Sequence, residues 1–489
     1  MKSIYTSGLT AIISMTMVGC TNVSSKITTP VPKVAPPIAN TITGQKKTPV
    51  KKIKLVAWEQ FFTDPTAKKV ISTALKNNRD LRIAATNVAE AQGLYQIRRR
   101  DQIPNVSVNG SRSQTRNSLN LSGNKNTINS YGVNVGLVSY EIDFWGRVAN
   151  LKDAALANYF ATLEAQRTSQ LSVISETANA YYNWLATREN LRLANATLKA
   201  RAQSLRLITL RQTVGIASEL DHAQAEVAKA TVEAQKAQIQ RALTGYQAVL
   251  ELLVGSPIDK VLASAKHAGR PKFDFVVPEN LNSSVLLNRP DIISAEEGLR
   301  AANANINAAR AAFLPSISLV GSGGFASGDL GDLFKASSKT WSFTPSISLP
   351  IFGNSIQANL DVAKARQNRS VAEYEKAIQA AFSEVYTQFQ ARKARRSEII
   401  ANNKLVWAQK KRQNLAQVRY DAGLASYIEV LDSQQNSFAS EQSLLESERG
   451  EVESIILLYK ALGGGDAVTG SFRSKTQNRP SKPSTISIQ

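Results

Sequence analysis

Two stretches of the chain run through almost seventy residues each without a glycine or a proline. Arg147 to Val214 is 68 residues and Asn354 to Ala422 is 69. Average usage would place about eight such residues in each. Both are rich in Ala, Leu, Gln, Glu, Lys and Arg, which favour helix. At about 1.5 Å per residue each helix would be roughly 100 Å long. In the first, Leu171, Ile174, Ala178, Tyr181 and Leu185 step by three and four, as a coiled-coil seam does. Each stretch stops at a glycine, Gly215 or Gly423, and 39 further residues of helical character follow, Ile216 to Val254 and Leu424 to Leu462. In the second of these Leu424, Ile428, Leu431, Gln435, Phe438, Gln442 and Leu445 keep the same step.

Ahead of each long stretch the period changes to two. Trp341, Phe343, Pro345, Ile347, Leu349 and Ile351 alternate with Ser342, Thr344, Ser346, Ser348 and Pro350. Tyr131, Val133, Val135 and Leu137 alternate with Gly132, Asn134, Gly136 and Val138. Two further strand starts follow Pro104 and Pro315. This pattern predicts strands over about 104–115, 131–144, 315–327 and 341–352, each with one apolar face and one small polar face.

The chain is written twice. Tyr140-Glu-Ile-Asp-Phe-Trp-Gly146 and Ser348-Leu-Pro-Ile-Phe-Gly353 introduce the long stretches; Gly146/Gly353 are 207 residues apart and Gly215/Gly423 are 208. The expected organisation is a first repeat over 58–270 and a second over 271–463, each with a strand pair, a very long helix (147–214, 354–422), a turn and a return helix (216–254, 424–462). Four strands cannot close a barrel, because small barrels need about eight. Open edges cannot face lipid. Either the strands form a small soluble sheet, or several chains pool them.

The ends change the picture. Lys2, the apolar run Leu9 to Val18 and the small residues after it predict a secretory signal over 1–19, too short to span a bilayer as a helix. It closes on Met17-Val18-Gly19-Cys20, similar to a bacterial lipobox, with Met17 where Leu is usual. Cys20 is the single cysteine, so no disulfide framework exists within one chain. Residues 20–57 form a lipidated, basic, Pro-rich tether with seven Lys and no acids, and 464–489 a flexible tail. Lysines without interleaved aromatics behind an export signal argue against nucleic acid, despite a net charge of +21. His222 and His267 have no catalytic setting, since the adjacent Asp221 and His222 point apart on a helix. No metal site is expected. Gly321-Ser-Gly-Gly324 lacks a phosphate-loop ending and is read as preceding a loop.

Several phrases resemble the TolC-like outer-membrane factor family, in its lipoprotein branch of multidrug and metal efflux systems. They include Trp58-Glu-Gln-Phe-Phe-Thr-Asp64, Leu286-Leu-Asn-Arg-Pro-Asp291, Ala309-Arg-Ala-Ala-Phe-Leu-Pro315, Arg419-Tyr-Asp-Ala-Gly423 and Tyr459-Lys-Ala-Leu-Gly463. The resemblance spans Trp58 to Leu462. It implies a mainly α fold with a β-barrel part: a long antiparallel α-helical barrel continued by a membrane β-barrel shared among three protomers. It implies a homotrimer in the outer membrane, lipid-anchored at Cys20 and extending into the periplasm. Its partners would be a periplasmic membrane-fusion adaptor and an inner-membrane RND-type pump. The function implied is passive exit for small toxic compounds, drugs or metal ions, without catalysis or a cofactor other than the covalent lipid. A type I protein-secretion channel and a periplasmic coiled-coil scaffold are the alternatives.

The resemblance also implies site residues. The turns at Gly215 with Ser218 and at Gly423 with Ser426 form the tunnel tip that meets the adaptor. Asp221, Tyr420, Glu429 and Asp432 fall at the periplasmic aperture. Family members often carry an Arg near this bottleneck; the matching positions here are Ala425 and Gln435, so an ion-pair lock must be weaker or built differently. A second reading stays open for two acids. Ser218 with Asp221 and Ser426 with Glu429 both fit a capping box, which would make these acids helix caps, pore-liners or both. Asp432 lies beyond the cap and is read as pore-lining.

Overall fold

The structure is a computed structural model that describes residues 56–116, 127–265, 273 and 283–465. The proposed signal, Cys20 and most of the tether lie outside the described residues, as do His267 and 466–489. The chain begins with three helices, α1 (Trp58–Phe61), α2 (Pro65–Asn77) and α3 (Arg79–Arg100), then β1 (Val106–Arg116) and β2 (Thr127–Ile142). The long α4 (Arg147–Thr213), its return α5 (Glu219–Val254) and the short α6 (Asp259–Ala263) complete the first repeat. The second has α7 (Pro290–Ala311), β3 (Ser316–Ser327), β4 (Lys339–Ser348), the long α8 (Asn354–Asp421) and its return α9 (Tyr427–Ala461). Among the described residues no helix is long and apolar enough to cross a membrane.

Several bounds differ from the sequence reading for local reasons. β2 starts at Thr127 rather than 131: Thr127, Asn129 and Ser130 are polar and the single Ile128 sets no period, yet all four pair with Arg116 to Ser113. β4 stops at Ser348, short of Pro350, which has no N–H to give a ladder. Pro345 lies within β4, paired with Leu319, and β4 is the last strand of the sheet, where a missing N–H is tolerated. Gly321 to Gly324 lie inside β3, not before a loop. The return helices start at Glu219 and Tyr427 because residues after each turn glycine give their N–H groups back to the long helix. Gly464 and Gly465, expected in a flexible tail, are buried, and Gly465 N donates to Tyr459 Oη at 3.0 Å.

By compactness the described residues fall into two units, and each unit draws on both repeats. One holds Asn87–Leu163 and Ser294–Glu375. Its centre is a four-stranded antiparallel sheet in the order β1-β2-β3-β4, so β1 and β4 are both free edges. Register sorts the two faces. Ser322 with Ser342 and Ser318 with Ser346 share the polar face and join their hydroxyls at 2.8 and 2.6 Å. The other face carries Val108 with Val135, Val133 with Phe325, Gly321 with Phe343 and Ile317 with Ile347. Its large side chains are open to the surroundings: Trp341 is 82 % exposed and Ile347 73 %. A bulge between Leu137 and Tyr140, with Ser139 at φ +36°, keeps Tyr140 and Ile142 on the apolar face. Asp143 then accepts from Val148 N and Ala149 N at 3.0 and 2.7 Å and starts α4.

The second unit holds 56–86, Glu164–Ile293 and the described part of Lys376–Gln489. Its core includes all five residues of the α4 seam, Leu171 to Leu185, with Phe61, Phe62 and Tyr459. Fully burying such side chains stabilises by about 1.5–3 kcal/mol each. Phe61 stacks on Tyr459 at 4.1 Å between centroids. Asp64 caps α2 through Thr66 N and accepts from Tyr181 Oη, both at 2.8 Å. The guanidinium of Arg289 donates to Asp291 at 3.0 and 2.6 Å, Glu384 at 2.8 Å and the Ala461 carbonyl at 2.6 Å.

The return helices pack with a period of seven. In α5 the positions are Ala225, Val232, Ile239 and Tyr246; in α9 the residues 208 further on are Ser433, Ser440, Ser447 and Ser454, all buried. Each of these serines donates to the carbonyl three residues back, at 2.7 to 2.9 Å, which satisfies its hydroxyl. A strict period of seven marks left-handed coiled-coil packing. This corrects the start of the seam drawn for α9: Leu424 is 72 % exposed and Ile428 is exposed, while Tyr427 and Val430 are buried; further along, Phe438 of that seam is buried.

Candidate functional site

The two helical turns are built alike. At the first, Gly215 (φ +74°) donates to Gln212 O at 2.9 Å and Ile216 N to Arg211 O at 2.8 Å. At the second, Gly423 (φ +74°) donates to Tyr420 O at 2.9 Å and Leu424 N to Arg419 O at 2.8 Å. Both are Schellman ends, in which the glycine takes the left-handed position that a Cβ would strain. Ile208 of α4, Ala225 of α5, Ala416 of α8, and Tyr427 and Val430 of α9 form one small core that joins the two hairpins.

The starts of the return helices differ. Ser218 makes the whole capping box: its hydroxyl accepts from Asp221 N at 3.1 Å, and Asp221 Oδ2 accepts from Ser218 N at 3.1 Å. Asp221 is therefore a helix cap here. Ser426 makes no side-chain cap. The capping box read there is not formed, and Glu429 Oε1 lies 3.9 Å from Arg419 Nε. Tyr420 packs beside Tyr427 with centroids 5.5 Å apart, and the Arg211 guanidinium lies 5.2 Å from the Tyr420 ring centre. Such a cation over a tyrosine face contributes about 0.5–1 kcal/mol where exposed.

Asp432 is not a bare acid. It pairs with Arg412 of α8, and Asn436 Nδ2 donates to its Oδ1 at 3.0 Å. Both charged partners are about half exposed, so the pair contributes at most about 1 kcal/mol. Its main effect is on charge: Arg412 and Arg419 each set a positive group beside an acid of α9. The arginines thus come from the outgoing helix α8 and not from Ala425 or Gln435.

A buried layer lies further along the hairpins. Arg201 of α4 is 2 % exposed. It donates to Gln434 Oε1 of α9. Its Nε has no partner among the described residues, and the same holds for the hydroxyl of buried Tyr427. Burial lowers the affinity of Arg201 for its proton and raises that of Tyr427, each group slightly offsetting the shift of the other. An arginine stays charged at any relevant pH, so this is a buried cation held by one neutral acceptor. The sequence reading missed it. A signal was present: Ala194, Arg201 and Ile208 are spaced by seven, and the two flanking residues are fully buried.

The sheet completes the picture: an exposed apolar face, a hydrogen-bonded polar face and two free edges, carried on helices far longer than a four-stranded sheet needs. That combination defines one subunit of a membrane channel. The comparisons agree. The model of the family described as outer membrane efflux protein matches residues 70–256 and 281–464. The solvent efflux pump outer membrane protein SrpC of Pseudomonas putida is 42 % identical over 415 residues, covering 84 % of this chain and 88 % of that protein. The cation efflux system protein CusC of Escherichia coli is 39 % identical over 410 residues, covering 83 % and 88 %. Among solved structures, the open state of the Neisseria gonorrhoeae MtrE outer membrane channel superposes with a TM-score of 0.78 at 36 % identity, covering 86 % of this chain and 94 % of that one. The chain belongs to the outer membrane efflux protein family. It is an efflux channel component of the outer membrane, and members of the family are channels rather than enzymes.

Proposed function

We propose that three copies of this chain close their four-stranded sheets into one twelve-stranded barrel, and that the hairpin tips receive cargo from a periplasmic membrane-fusion adaptor and an RND-type pump. The observation that carries this reading is the sheet with an exposed apolar face and two unpaired edges. In lipid every backbone group must be paired, so the edges of one copy have to meet those of another. The polar face, with its Ser–Ser pairs, then lines water.

The tips suit docking: beside the turn glycines Gly215 and Gly423 and the cap positions Ser218 and Ser426, they expose Val214, Ile216, Leu220 and Leu424. Asp221, Tyr420, Glu429 and Asp432 form the aperture layer behind them, with Arg412 and Arg419 moderating its negative charge. Cys20 carries the lipid that anchors the chain. The cargo is a small organic compound. The names of the solvent and toluene relatives support the same class.

Deleting the gene should raise susceptibility to solvents and hydrophobic antibiotics without changing copper or silver tolerance. Loss of one exported protein with unchanged susceptibility would point instead to polypeptide secretion. Cys20→Ser should abolish palmitate incorporation.

A further inference from the structure

The apolar face of the sheet does not stay apolar to its end. At the end near the loops between paired strands, Arg112 of β1 and Lys339 of β4 point to the same side as Trp341 and Phe343. Register fixes this, because Arg112 pairs with Tyr131, in line with Val133 and Val135, and Lys339 pairs with Phe325. The Arg112 guanidinium lies 5.6 Å from the Tyr131 ring centre. Neither Arg112 nor Lys339 has an ion-pair partner among the described residues. The nearby acids are occupied: Asp332 pairs with Lys335, and Asp329 accepts from Gly331 N at 3.0 Å.

Their depth follows from strand geometry. Ile317 marks the helical end of the apolar face, and the Tyr131–Ser327 pair carries the row of Arg112. Ten residues of strand rise about 33 Å. Tilted by about 40° in a closed barrel, they span about 25 Å, which is the height of the apolar band of such barrels. Lys339, two residues lower on β3, sits about 20 Å up and reaches the surface on its long stem. Two unpaired cations thus meet the outer boundary of the lipid, flanked by Tyr131, Phe325 and Trp341 at the level where aromatic girdles sit.

We propose that Arg112 and Lys339 bind the phosphate groups of an outer-leaflet lipid headgroup. Within one copy β1 and β4 stand three strand spacings apart, about 14 Å, and in the closed barrel Lys339 of one copy also comes one strand spacing from Arg112 of the next. The fitting occupant is a headgroup with two phosphates, such as a diphosphorylated glycolipid, one phosphate for each cation of a copy. The guanidinium supplies a fork for one phosphate and the ammonium a point charge for the other. This rests on the barrel reading above.

The test uses the full-length trimer in nanodiscs doped with diphosphoryl lipid A or with its dephosphorylated counterpart, and compares the wild type with an Arg112→Gln/Lys339→Gln variant. Bound lipid is counted by native mass spectrometry, and single-channel conductance is recorded in planar bilayers. The expected result is retention of the diphosphorylated lipid by the wild type, at least tenfold weaker retention of the dephosphorylated form, and the same loss in the variant, with conductance unchanged. Equal retention of both lipids, or an unaffected variant, overturns the proposal. Full competition by inorganic phosphate alone also overturns it, in favour of a free-phosphate site. If the wild type forms no channel at all, it is the barrel reading that fails.

Discussion

Replacing Arg201 and replacing its hydrogen-bond partner should move stability in opposite directions. The guanidinium is 2 % exposed, has one neutral acceptor, Gln434, and leaves Nε without a partner among the described residues. An unsatisfied buried donor costs about 1–3 kcal/mol, and replacing buried charge by an apolar side chain of similar volume is often neutral or stabilising by about 1–4 kcal/mol. Arg201→Met keeps the length of the stem, removes the charge and should strengthen the joint between the hairpins by about 1–3 kcal/mol. Gln434→Ala removes the one acceptor and should weaken it by about 1.5–3 kcal/mol, the range for a hydrogen bond to a charged group. The assay is hydrogen exchange of the purified trimer, read at amides of residues 205–212 and 427–437. Each 1.4 kcal/mol is a factor of ten in the opening equilibrium, so exchange should slow about tenfold in the first variant and speed up about tenfold in the second. Faster exchange in Arg201→Met, matching that of Gln434→Ala, would show that Arg201 is a net stabilising contact and would refute the reasoning.

Four further outcomes follow from the same contacts. Arg412→Gln should increase the cation selectivity of single channels, and Asp432→Asn with Glu429→Gln should lower it; unchanged reversal potentials in both would remove these residues from the aperture. Ser218→Ala should cost about 1 kcal/mol of local helix stability and Ser426→Ala close to nothing, since only the first makes a cap; circular-dichroism melts compare the two. Arg289→Leu takes the donor from the Ala461 carbonyl and from the partly exposed Asp291 and Glu384 and should cost about 1–3 kcal/mol, seen as a lower melting temperature and less trimer. Burial raises Tyr181, Tyr182 and Tyr459, the last to about 12. The neutral phenols therefore add stability that is complete below about pH 10 and is lost as pH climbs towards 12, so the melting temperature should fall across that window, and less steeply in Tyr459→Phe.

Much of the architecture is written in the sequence. The glycine-free stretches, the turn glycines and the period-two segments are local signals, because helix propensity, left-handed turns and strand alternation each depend on a few neighbouring residues. The offset of 208 residues equates Gly215 with Gly423 without any coordinates. The shortage of strands argues for several chains by arithmetic alone. What local pattern could not supply is which side chains meet across helices. Ser218 and Ser426 read alike, yet only Ser218 caps, and Glu429 lies near Arg419 of the preceding helix instead. Arg412 reaches Asp432 from twenty residues back, and Arg201 reaches Gln434 from the other repeat, so neither pairing leaves a mark at fixed short spacing. The seam of α9 shows the same limit: both the positions stepping from Leu424 to Leu445 and the serines at 433, 440, 447 and 454 are periodic, and packing buries Phe438 of the first set and all four of the second. The elements, their duplication and their need for company follow from local pattern and counting. The polar contacts that neutralise Glu429 and Asp432 and that join the hairpins at Arg201 exist only once the chain is folded, because they depend on distances between segments that are remote along the chain.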